Sequence, residues 1–98
     1  MRHLYVIAYD VVDDRRRAKV HRVLSGFGTA LQYSVFRCAL TPLELTDLRA
    51  KLWEIFNPAV DRILLADLGP EASRGAQALE IWGQELEQPL PSSEPLIF

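Results

Sequence analysis

The sequence predicts a small α+β domain: a four-stranded antiparallel sheet with two helices packed on one of its faces. Three observations predict it. The 98-residue chain has room for one hydrophobic core and no second one. Its hydrophobic fraction of 49% and charged fraction of 24% are those of a globular chain rather than a disordered one. Its hydrophobic period changes between two and 3.6 residues in the order strand, helix, strand, strand, helix, strand.

The first strand is His3 to Tyr9, rich in β-branched and aromatic side chains. Leu4, Val6 and Ala8 share one face with Asp10, and Tyr5, Ile7 and Tyr9 share the other. Both faces are apolar, so both need a cover. Helices are expected to supply one, and in a chain this short the other is expected to come from a second copy of the protein, the alternative being the chain's own tail folding back.

A helix follows over about Asp14 to Ser25. Asp13 or Asp14 can cap it, Val20, Val23, Leu24 and Phe27 form its apolar stripe, and Gly26 and Gly28 are expected to close it in the left-handed conformation. From Ala30 to Leu40 the alternation returns but slips by one residue near Ser34 to Phe36, which predicts two short strands with a bulge or reversal between them.

Thr41-Pro42-Leu43-Glu44 starts the second helix with a capping box and proline at its first position. Leu45, Leu48, Leu52 and Ile55 carry the buried stripe as far as Asn57-Pro58. Asp61 to Leu68 reads as the fourth strand, stopped by Gly69-Pro70. This order is the ferredoxin-like split-βαβ arrangement, a fold that hosts many unrelated functions. Glu71 to Leu86 reads as a short helix, or as a loop leading to a strand near Leu79 to Trp82. Gln88 to Pro95, with three prolines, reads as an extended tail.

Several function classes drop out. No apolar run approaches the roughly 20 residues of a membrane span. The N-terminal stretch carries no small-residue cleavage site, so no secretory signal is expected. The lone Cys38 can neither close an intrachain disulfide nor build a zinc site, and it fits a reducing cytoplasm. No nucleophile-with-base arrangement and no glycine-rich phosphate loop is present, and His3 and His21 read as surface or packing residues. The formal net charge of −2 hides a polarity: residues 1–62 hold 10 Lys+Arg against 7 Asp+Glu, and residues 63–98 hold 1 against 6. A polyanionic partner is therefore compatible with the acidic total.

Two patterns carry chemistry. Asp10 ends an apolar strand in its inward phase, where a carboxylate is expensive to bury unpaired. It reads either as a strand-end group bonding the next helix or as a ligand for Mg²⁺ or Mn²⁺, which favour hard oxygen donors. One carboxylate makes a poor metal site, and two copies meeting on a twofold axis make a better one. Asp13 and Asp14 are near enough in sequence to join it, although helix capping explains them better.

The second pattern is the crowd of cations on the first helix. Arg15, Lys19 and Arg22 stand at i, i+4 and i+7 in one stripe, with Arg16 and Arg17 flanking the apolar side. Cations at a helix N-terminus oppose its dipole, so helix stability is not their purpose. They read either as a solvated face balanced by Asp13 and Asp14 or as a surface that follows phosphates without reading bases. Tyr5, Tyr9 and Tyr33 could stack on bases, but on strands they read better as core or interface.

The run Tyr9-Asp10-Val11-Val12-Asp13-Asp14-Arg15-Arg16-Arg17-Ala18-Lys19-Val20, followed by Gln32-Tyr33-Ser34-Val35-Phe36, resembles the CRISPR-associated protein 2 family over about residues 3 to 68. Arg37-Cys38 departs from the acidic residue and glycine common at that place. The resemblance implies a ferredoxin-like fold and a homodimer with facing sheets, and it tips 71–86 toward a loop and a fifth strand near 79–82 that pairs with the partner's sheet. The domain would then span residues 1–86 and the tail residues 87–98.

It also implies a scaffold in spacer acquisition that holds double-stranded DNA, with RNA as the alternative polyanion, together with the CRISPR integrase subunit. In some members it implies a Mg²⁺-dependent endonuclease whose catalytic and metal-binding residue matches Asp10. Arg16, Arg17 and Lys19 match phosphate contacts of the family. With Arg15 and Arg22 from the stripe, they complete the nucleic-acid-binding set expected here. Of the two roles, the scaffold is the better supported by the residues, because a single acidic ligand per chain is thin equipment for phosphodiester hydrolysis.

Overall fold

The computed structural model describes residues 1–84. Its elements run β1 (His3–Asp10), α1 (Asp14–Ser25), β2 (Thr29–Gln32), β3 (Val35–Leu40), α2 (Pro42–Trp53), β4 (Arg62–Pro70) and the five-residue α3 (Arg74–Ala78). The strands form one antiparallel sheet in the order β2-β3-β1-β4, so β1, the most apolar, lies in the interior beside β3 and β4. This is the ferredoxin-like order that the period changes predict.

Each helix starts where its cap dictates. Asp13 caps α1 by accepting from the Arg16 amide at 2.9 Å. Thr41 and Glu44 exchange both bonds of a capping box at the start of α2. One face of the sheet, through Tyr5, Ile7, Tyr9, Phe36 and Cys38, closes on Val20 and Leu24 of α1 and Leu45, Leu48 and Leu52 of α2. Ile7, Val20, Leu24, Leu48 and Cys38 are fully buried, and each large aliphatic side chain removed from water contributes about 1.5–3 kcal/mol. The Cys38 thiol is pushed up to about 11 by that burial, so it packs as an inert apolar group.

The slip foreseen between the second and third strands takes two forms. The chain reverses at Tyr33-Ser34, and the β2–β3 register shifts between Ala30 and Gln32. Tyr9 secures the reversal. Its hydroxyl lies 3.0 Å from His21 Nδ1 and donates to the Tyr33 carbonyl at 3.1 Å, which joins β1, α1 and the hairpin turn in one buried network. Burial pushes the Tyr9 phenol up to about 12 and lowers His21 below its ordinary value.

Three expectations are corrected. Gly26 caps α1 in the right-handed region at φ −80°, not the left-handed one. α2 ends at Trp53, before Asn57-Pro58, because Ile55 and Phe56 both turn back to the Leu52 carbonyl and tuck partly into the core. β4 starts at Arg62 and continues through Gly69 (φ 101°) to Pro70, because pairing of Pro70 with His3 of β1 carries the strand past both residues. Residues 79–82 form no strand within the single chain, which does not test a strand expected to pair with a partner's sheet. The tail expected at 87–98 lies outside the described residues.

The face of the sheet away from α1 and α2 is covered only at one end. There α3 lies so close that a Cβ on Gly75 would stand 3.0 Å from the Leu4 Cβ, and Leu4 is buried. The rest of that face, with Val6, Ala8, Val35, Leu64 and Ala66 in register, is open, and Leu64 is 59% exposed. Among the described residues no helix is long and apolar enough to cross a membrane.

Among the described glycines, Gly28 stands closest to its neighbours. A Cβ there would stand 2.3 Å from the Arg37 carbonyl oxygen and 2.5 Å from Cys38 Sγ. Since a backbone oxygen of β3 cannot yield cheaply, Gly28→Ala should cost about 1–3 kcal/mol in a urea titration. Gly26→Ala should cost less, because its nearest neighbour would be at 3.4 Å.

Candidate nucleic-acid interface

The turn between β1 and α1 brings the expected site residues to one end of the sheet. Asp10 ends β1 on the open face, in line with Val6 and Ala8, and it is exposed. The single chain therefore does not bury it, contrary to the inward phase read from the sequence. The first-turn amide that Asp10 could have capped is taken by Asp13. Across the ladder Asp10 pairs in register with Arg62, which places a cation on the same face. Register depends on a strand 52 positions away, and nothing local in the sequence announces that neighbour.

The five cations of α1 divide into two groups. Arg15, Lys19 and Arg22 are exposed along one stripe, as their spacing requires. Arg16 and Arg17 point inward. Arg17 donates to the Val11 carbonyl at 2.8 Å and pairs with Asp14. Arg16 makes a two-point bond to Asp61, from Nε at 2.8 Å and from Nη2 at 3.1 Å. The phosphate role that resemblance gives Arg16 and Arg17 thus meets side chains already engaged within the fold.

Asp61 went unnoticed in the sequence, where it reads as the first residue of an apolar strand. Its side chain has no exposure and accepts four hydrogen bonds, two from Arg16, one from the Val12 amide at 3.0 Å and one from the Asn57 amide at 2.8 Å. The guanidinium and the two amides hold the carboxyl far below the usual carboxylate range. A signal was available: an acid placed just after Asn57-Pro58 and just before an apolar run has to be paired if it is buried.

The tyrosines separate in the same way. Tyr5 and Tyr9 belong to the core, and Tyr33 at the hairpin turn is 61% exposed. His3 pairs with Asp67 at 2.9 Å beside the Tyr5 ring, and His21 packs edge-on against Phe36, so both histidines serve packing or surface pairing.

A divalent cation does not fit the residues of one chain. Among the described residues no three of His, Cys, Asp and Glu come together to hold an ion. Asp13 is spent on the helix cap and Asp14 on Arg17, which leaves Asp10 beside the cationic Arg62.

Comparison with known proteins now identifies the family. A family profile described as CRISPR associated protein Cas2 matches residues 1–74. The chain belongs to that family. A CRISPR-associated endoribonuclease Cas2 of Thermus thermophilus is 48% identical over 73 residues, 74% of this chain and 78% of that one. The Geobacter sulfurreducens protein of the same name is 41% identical over 70 residues, 71% of this chain and 74% of that one. Among solved structures, Cas2 of Streptococcus pyogenes superposes with a TM-score of 0.69 at 27% identity, covering 82% of this chain and 99% of that one. A chain in a structure described as a partial Cas6-RT-Cas1–Cas2 complex superposes with a TM-score of 0.61 at 32% identity, covering 72% of this chain and 82% of that one. Against this Cas2 frame, Asp61 and Arg62 are the residues that the structure adds to the site expected from sequence, and Arg16 is the expected one that it pairs with Asp61.

A carboxyl held low in the native state stabilises it fully at pH values above its unfolded pKa, near 3.9, and loses that contribution as pH falls toward the lower native value. Asp61→Asn should therefore be less stable than wild type by a constant margin above about pH 5. The margin should shrink below about pH 4, read as urea midpoints between pH 2 and 7.

Proposed function

We propose that this Cas2 protein works in the cytoplasm as a homodimer in CRISPR spacer acquisition, holding double-stranded DNA together with the integrase subunit. The division of the α1 cations carries this reading. Three exposed cations on one stripe suit phosphates whatever the base sequence. The open apolar face of the sheet supports the dimer, because a second copy laid face to face would cover Val6, Ala8 and Leu64 and set two basic helices on one assembly. Likeness to a chain from a complex named for Cas1 and Cas2 supports the integrase partner.

A second reading, cleavage of RNA or DNA dependent on Mg²⁺ or Mn²⁺, is favoured by the relatives' name of endoribonuclease. One chain does not furnish a metal site, so this reading requires Asp10 from each of two protomers. It stands behind the scaffold for that reason.

Three measurements test the proposal. The purified chain should run at twice its 11.1 kDa mass in solution. Arg15→Gln, Lys19→Gln and Arg22→Gln should each lower the slope of log affinity for duplex DNA against log salt by about 0.9, the release expected for one lost phosphate contact. Asp10→Ala should leave spacer insertion intact; loss of insertion with duplex affinity preserved would move the second reading ahead of the first.

A further inference from the structure

Arg16 is matched by resemblance to a phosphate contact, yet its geometry gives it other work. Two of its donors, Nε and Nη2, are turned on one fully buried carboxylate, and only 28% of its side chain is exposed. Turning Arg16 toward a phosphate would strip Asp61 of half its partners and leave a buried anion underbonded, a costlier state than an unbound phosphate in water. The same carboxylate grips the Val12 amide, two residues after Asp10, and the Asn57 amide in the loop between α2 and β4. One side chain therefore ties the exit of β1, the first turn of α1 and the entry to β4. No other side chain with described bonds joins those three places.

We infer that Asp61 is the positioning residue of the duplex-binding surface: through Arg16 and the Val12 amide it fixes the angle at which α1 leaves the sheet. Arg16 is its bound partner and not a phosphate contact. The exposed stripe of Arg15, Lys19 and Arg22 starts one residue before Arg16 and continues along the same helix, so its place relative to Asp10 and to the open sheet face is set by this clamp. The inference rests on the duplex-holding reading and sharpens it, because it separates the cations that meet DNA from the one that aims them.

The two roles of Arg16 predict opposite results. If Arg16 touches phosphate, Asp61→Asn frees a cation and removes an anion, so duplex affinity rises. If Asp61 positions the helix, Asp61→Asn lowers affinity by about tenfold at fixed salt, a coupling of the size found within one hydrogen-bonded network. Arg16→Lys keeps the charge but loses the planar fork, so it should also lose affinity, whereas a phosphate contact would tolerate lysine. The double variant should lose no more than the weaker-binding single one, since both break the same clamp.

Binding of a labelled duplex by the full-length protein is measured at a temperature where circular dichroism shows every variant folded. Should Asp61→Asn fail to fold, Arg16→Lys carries the comparison alone. Tighter binding by Asp61→Asn, or wild-type binding by folded Arg16→Lys, overturns the inference, because the clamp then matters only for stability or not at all. Failure of the wild-type protein itself to bind duplex in a salt-dependent way overturns the duplex-holding reading instead, and is seen before any variant is compared.

Discussion

The basic helix depends on one buried carboxylate. α1 opens with Asp14, Arg15, Arg16 and Arg17, which puts three cations in the turn where the helix dipole is already positive. Left to itself that turn would be a poor place to nucleate a helix. Asp13 offsets part of the conflict by capping the Arg16 amide, Asp14 by pairing with Arg17, and Asp61 by meeting the Arg16 side chain. Of these three acids, Asp61 is the one out of reach of solvent and ions, so salt screens its pairing least. Both its oxygens are bonded, and among the described residues no buried side-chain polar atom lacks a partner. With Arg16 and Arg17 paired in this way, Arg15, Lys19 and Arg22 face outward.

A second constraint comes from the sheet. β1 is apolar on both faces, and the two helices can cover only one of them. α3 takes up part of the other, over Leu4, with Gly75 allowing the close approach. What stays open is a strip of small and branched side chains from β3, β1 and β4, with the exposed Arg37 opposite Val6 and with Asp10 and Arg62 at its end. Asp10 and Arg62, paired across the ladder, offset each other there, whereas Arg37 has Val6 and Thr29 opposite it and no acid. An apolar surface laid on this strip has to leave Arg37 at its rim or bring an anion to it, whereas Asp10 and Arg62 can go in together.

Much of this was legible from the sequence where the determining interactions are local. The caps at Asp13 and Thr41 set both helix starts, the stripe of Leu45, Leu48 and Leu52 reads directly from spacing, and the phase slip gave away the hairpin. The stripe of Arg15, Lys19 and Arg22 was legible for the same reason. The misreadings share a different cause. β4 runs through Gly69 and Pro70 because β1 pairs with it, and no local rule weighs that pairing. Arg16 and Asp61 are 45 positions apart, so each in isolation looks like a surface charge. Asp10 kept its face but not its burial, since the phase of a strand says which residues share a side and not what lies over that side.

The separation of fixed from free cations bears on how such a surface can work. An exposed lysine or arginine gives up side-chain entropy and hydration when it meets a phosphate, and three of them on one helix gain most if the helix itself need not be reoriented. A clamp made of a two-point guanidinium–carboxylate pair and two backbone amides completes that ordering during folding, before any ligand arrives. Because charge acts locally, a protein of net negative charge can still offer a polyanion the approach made by Arg15, Lys19 and Arg22.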